Sequence, residues 1–118
     1  MIKKGIVLLV VDFIILKFVI GKLFVKMVEN IQGKPININI YYALITYILI
    51  LLGQYLFIEP IRSVYRKDKY YTYAFLLGVI TYGIFDFTNL TIFSDYKLIP
   101  ALIDTLWGGI LNMILAYF

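Results

Sequence analysis

The sequence predicts an all-α protein, a four-helix transmembrane bundle, on three observations. Of its 118 residues, 63% are hydrophobic and only 15% charged, with a mean hydropathy of +0.92. A soluble domain of this length could not bury that much apolar surface in one core. The apolar residues fall into four runs of roughly the 17–25 residues that a helix needs to cross hydrocarbon. Turn-forming and charged residues mostly punctuate those runs. Strands fit poorly, because no run alternates apolar with polar residues and four strands cannot close a barrel.

The first span is predicted over about 5–28. It follows Lys3 and Lys4, which imitate the start of a signal peptide. No small-residue cleavage site follows and the apolar run continues to Val28, so it is expected to be retained. Asp12, Lys17, Lys22 and Lys26 interrupt it. The second span, about 36–58, is expected to stop at Glu59 and Pro60, since proline removes a backbone donor. A basic connection with Arg62, Arg66, Lys67 and Lys69 leads to the third span, about 70–93. Ser94 to Lys97 form a tight turn. The fourth span, about 98–118, carries Pro100 in its first turn, where a missing N–H is tolerated. All four belong to one membrane domain over residues 1–118.

An even number of spans puts both termini on one side. That side would hold Lys3, Lys4, Arg62, Arg66, Lys67 and Lys69, against Lys26, Lys34 and Lys97 on the other. The imbalance predicts cytoplasmic termini. The net charge of +4 is thus explained by a membrane surface, and no nucleic-acid partner is expected. Tyr41, Tyr42, Tyr70, Tyr71, Tyr73 and Tyr117 lie near span ends, where the ring can sit in lipid and the hydroxyl in the headgroup layer.

Cysteine and histidine are both absent. Thiolate catalysis, disulfides and the usual zinc ligands are therefore excluded, and no cofactor or metal site is expected. The chemistry must come from polar residues inside the spans, namely Asp12, Lys17, Gln54, Asp86, Asn89, Asp104 and Asn112. Such groups are expensive in lipid and normally turn toward protein or water.

In the third span Gly78, Tyr82, Asp86 and Asn89 recur at four, four and three residues. In the fourth, Pro100, Asp104, Gly108 and Asn112 recur at intervals of four. Each set lies on one helical face, and the two faces are expected to meet. At about 1.5 Å per residue, Asp86 and Asp104 should both lie roughly 10 Å below the surface carrying the short turn. Lys17 falls about 13 Å below that surface and is the expected partner of the carboxylates, with Asp12 deeper still. Trp107 is read as a packing or interfacial residue.

The string YGIFDFTNLT from Tyr82 to Thr91, followed by Pro100, Asp104 and the tripeptide Trp107, Gly108, Gly109, resembles the signature of a family of small membrane proteins known as domain of unknown function 2177. The resemblance covers nearly the whole chain and implies about four helices. The family's first helix tends to carry an Asp followed shortly by Trp and Leu; Asp12 and Leu16 match, whereas Ile15 stands in place of the Trp. The resemblance reinforces the fold and the list of residues but implies no mechanism.

Three functional readings follow. A centre made of Asp86, Asn89, Asp104, Asn112, Lys17 and Asp12, with Tyr82 and Trp107 beside it, could bind or help translocate a small polar solute, an ion or a lipid headgroup. A membrane enzyme could use Asp86 and Asp104 as acid and base or as metal ligands toward a lipid-like substrate. A structural subunit would use the same residues only to pack helices. The expected partners are the bilayer, a small polar ligand or lipid, and a second copy of the chain if a conducting path is to be enclosed.

Overall fold

Backbone groups in hydrocarbon must be paired within the chain, and this protein pairs them in helices alone. The computed structural model describes residues 1–118 and contains no strand. The helices line up as four rods. The first joins α1 (Ile2–Ile15) to α2 (Gly21–Gln32) through one wide helical turn, Leu16–Ile20. There the Gly21 N–H donates to the Leu16 carbonyl, five residues back, as in a π-bulge. A side chain at position 21 would collide with that carbonyl. Gly33, with φ of 71°, ends the rod in the left-handed conformation that glycine adopts without penalty.

Asn39 starts the second rod by accepting hydrogen bonds from the N–H groups of Tyr41 (3.1 Å) and Tyr42 (3.4 Å), an N-cap. The rod comprises α3 (Ile40–Gly53), a second wide turn (Gln54–Ile58) and α4 (Glu59–Arg62). The expected stop at Glu59 and Pro60 does not occur. In the wide turn the Glu59 N–H reaches back five residues to the Gln54 carbonyl, and Pro60 falls at the start of α4, so the helix passes the proline and continues to Arg62. α5 (Lys67–Ile92) and α6 (Leu98–Tyr117) follow, with Pro100 in the first turn of α6 as expected.

Ile40–Arg62, Lys67–Ile92 and Leu98–Tyr117 are each long and apolar enough to cross a membrane, yet only 11%, 11% and 39% of their most apolar stretches are buried inside the protein. Apolar side chains that face outward along whole helices mark lipid, rather than water, as the solvent. The first rod is more polar along its length. Its Leu8 and Ile20 pack with Trp107, Leu111 and Leu115 in the main core. The molecule measures 48 × 26 × 22 Å, long enough to pass through a hydrocarbon layer of about 30 Å.

Both termini lie at one end. Lys4 pairs with Glu59, and Arg62 Nη2 donates to the Tyr117 carbonyl at 3.0 Å. The other end is closed by Met27, Tyr96 and Ala101, where the Lys97 N–H lies 3.1 Å from the Met27 sulfur. Tyr41, Tyr42, Tyr73 and Tyr117 are exposed near helix ends, as headgroup anchors should be. Tyr70 is not such an anchor; it is buried against Ile58, Ala74 and Ala116.

α5 and α6 form the tightest pair. A Cβ added at Gly78 would fall on the Gly108 carbonyl, and one at Gly108 on the Tyr82 ring. At Gly109 an added Cβ would lie 2.7 Å from the Phe75 ring. Small residues thus bring the two backbones together. α3 leans instead on α1, and the second rod joins α5 and α6 through its wide turn. A cleft stays open beside α3.

Candidate functional site

The close approach of α5 and α6 brings their two polar faces together. Asp86 is fully buried. One carboxylate oxygen accepts from the Tyr96 hydroxyl at 2.7 Å, the other from the Thr105 hydroxyl at 3.2 Å. Tyr96 lies in the turn outside the helices. Burial, and then its bond to Asp86, push its phenol above the ordinary tyrosine value, with Asn89 beside it acting the other way. The phenol therefore remains a donor to Asp86. Asp104 lies next to Asp86 on the facing helix, and the two carboxyl groups interact directly. In lipid, such a pair needs a shared proton, a donor or a cation to be tolerated.

Asp12 enters from the first rod. Its oxygens accept from the Tyr47 hydroxyl at 2.6 Å and from Trp107 Nε1 at 3.2 Å. One carboxylate thus ties α1 to both α3 and α6. Trp107 is buried at this junction, so it belongs to the packed interior and not to the membrane interface.

A third polar layer lies toward the termini. Gln54 Nε2 donates to the carbonyl oxygen and to Oδ1 of Asn112, each at 3.0 Å, and Asn112 Nδ2 donates to the Gly108 carbonyl at 3.0 Å. Gln54 Oε1 accepts from Lys4 Nζ at 3.0 Å. Lys4 is only 3% exposed and also pairs with Glu59, which in turn receives Arg62 Nη1 at 3.2 Å. No fully buried side-chain nitrogen or oxygen lacks a hydrogen-bond partner.

Asp104 differs from the other intramembrane acids. No hydroxyl, amide, indole or ammonium group donates to it; its one polar partner is the Asp86 carboxyl, and it lines a cavity of about 610 Å³ between α3 and the α5–α6 pair. Leu49, Phe57, Leu77 and Phe85 supply apolar walls; Tyr82, Asp104 and Asn112 supply the polar lining. Thr46 and Thr81 also border the cavity.

Of the residues singled out in the sequence, Asp86, Asn89, Asp104, Asn112, Tyr82, Asp12 and Trp107 all lie in or beside this interior. Lys17 does not. It is exposed on the first rod, its ammonium 6.0 Å from the Phe13 ring centre and 5.6 Å from that of Phe18, and it forms no ion pair with a carboxylate. Five steps at 3.6 residues per turn carry it well round the helix from Asp12, which faces inward. No three Asp or Glu side chains converge, so Asp86 and Asp104 stand as a pair of acids without further carboxylate ligands.

Sequence reasoning missed the Lys4–Glu59 pair, Tyr47, Tyr96 and Thr105. Lys4 and Glu59 sit at the same end of neighbouring predicted spans, a signal hidden by reading Lys4 only as a topology-setting charge. Tyr47 stands in mid-span, away from either headgroup layer, which was its clue.

Fold and interior together define a multi-pass membrane protein with a hydrogen-bonded polar network inside a four-helix bundle. The sequence model of the family described as "Predicted membrane protein (DUF2177)" matches residues 1–118, and the chain belongs to that family. No curated protein and no solved structure matches the chain.

Proposed function

We propose that the protein binds a lipid-like amphiphile in the cleft beside α3, with the amphiphile's ammonium or hydroxyl head donating to Asp104, and that it thereby helps a lipid headgroup move through the hydrocarbon layer. The carrying observation is that Asp104 borders the cavity and meets only the Asp86 carboxyl, while Asp12 and Asp86 each receive two hydroxyl or indole donors. Apolar walls suit an acyl chain, and a lone acid suits a donating head. Helix packing accounts for Asp12, Asp86 and Asn112, whose polar atoms are met by the protein; it does not account for the opening of Asp104 onto the cavity.

Binding of a fluorescent long-chain amine to the purified protein in detergent tests this reading. The wild type should bind the amine in preference to a carboxylate of the same chain length. Asp104→Asn should weaken amine binding about tenfold or more, the value of one charge-assisted hydrogen bond. Equal binding by Asp104→Asn, or no preference for the amine, contradicts the proposal.

Cytoplasmic termini are part of the same reading, supported by Lys3, Arg66, Lys67 and Lys69 at that end. The chain has no cysteine, so Ser94→Cys introduces a single thiol in the opposite turn. It should react with an impermeant maleimide applied to intact cells; labelling only after lysis reverses the orientation.

A further inference from the structure

Three lysines on the first rod play no part in the interior. Lys17, Lys22 and Lys26 are all exposed, and none lies in an ion pair. Their spacings are five and four residues. The wide turn at Leu16–Ile20 takes up the extra residue between Lys17 and Lys22, so that all three fall on one broad face. Met27 packs on the turn that ends at Lys97, which sets Lys26 near the membrane surface. Lys22 then lies roughly 6 Å deeper and Lys17 roughly 13 Å deeper. Glu29 and Asp95 are the acids at this end, and neither bridges to a lysine.

A cationic face descending into hydrocarbon must be met by a counter-charge. The stem of Lys17 covers only part of its depth, so the anion has to dip toward the helix as the lysine reaches up. A second copy offers no acid at mid-span on its outer surface, because Asp68, Asp95 and Glu29 all stand near rod ends and Asp104 lies inside the cleft beside α3. An anionic phospholipid headgroup is the counter-charge that a bilayer supplies at the surface above this face, where the lysine stems reach up toward it. We infer that Lys17, Lys22 and Lys26 form a binding face for an anionic phospholipid in the leaflet that meets the Ser94–Lys97 turn. The inference is independent of the cleft at Asp104.

Native mass spectrometry after release from nanodiscs containing equal phosphatidylcholine and phosphatidylglycerol tests it. The wild type should retain phosphatidylglycerol preferentially. Lys22→Gln and Lys26→Gln should each lower that preference about fivefold, and the triple Lys17→Gln/Lys22→Gln/Lys26→Gln variant should abolish it. Thermal unfolding in pure phosphatidylcholine discs reads whether the triple variant folds; if it does not, the single variants decide the question. Asp104→Asn should leave the preference intact. An unchanged preference in the single variants overturns the inference. So does a wild-type dimer that retains no lipid and is dissolved by the same substitutions, which would assign the face to a second copy.

Discussion

The two sides of α5 behave in opposite ways. Toward α6 it presents Gly78 and Tyr82 to Gly108, and the backbones approach until no side chain fits between them. Toward α3 it presents Leu77, Thr81 and Phe85 to an open cavity of about 610 Å³. The same contrast divides the two neighbouring acids. Asp86 lies on the sealed side and is held by Tyr96 and Thr105, whereas Asp104 borders the open side with only the Asp86 carboxyl beside it. Polar residues inside a membrane protein therefore need not share one role. Where the helices close, an acid is fastened; where they part, it is available.

The largest effect is expected at the α5–α6 seam. Gly108→Leu would drive a side chain into the Tyr82 ring and part α5 from α6. We expect a loss of about 3 kcal/mol or more, at or beyond the upper end of overpacking effects because the obstacle includes a ring held against backbone. Thermal unfolding in detergent measures it, and a change below about 1 kcal/mol would mean that the two helices can separate freely.

A smaller effect sharpens the contrast between the acids. Asp86→Ala strands the buried hydroxyl of Tyr96 and the Thr105 hydroxyl, and should cost about 2 kcal/mol. Asp104→Ala removes only the contact with the Asp86 carboxyl, and its stability should stay within about 1 kcal/mol of wild type. Equal losses at the two positions would show that Asp104 is as structural as Asp86.

Much of the fold could be read from the chain. The turn from Ser94 to Lys97 and the helix start before Pro100 are marked by local residue types, whose effects do not depend on tertiary context. The meeting of the α5 and α6 faces was likewise legible, since the repeats of Gly78, Tyr82 and Asp86 and of Asp104, Gly108 and Asn112 fix a helical stripe whatever the neighbours are. Pro60 misled because its usual effect assumes an ordinary α-helix, and the wide turn at Gln54–Ile58 removes that assumption. Lys17 misled for a different reason. Its depth along the axis matches that of Asp86 and Asp104, but rotation about the axis decides whether a side chain faces protein or lipid. The hydroxyl donors Tyr47, Tyr96 and Thr105 were not legible as partners, because which donor reaches which acid depends on how neighbouring rods are turned. The cleft itself is set by the lean of α3, a property of packing with no residue pattern of its own.

Occupancy of that cleft can be observed directly with a diazirine-tailed phospholipid activated by light in the bilayer, followed by mapping of the labelled residues. Labels should concentrate on Leu49, Phe57, Leu77 and Phe85, and that concentration should be lost in Asp104→Asn. Labels spread evenly over outward apolar side chains such as Ile6 and Ile14, in wild type and variant alike, would contradict that occupancy.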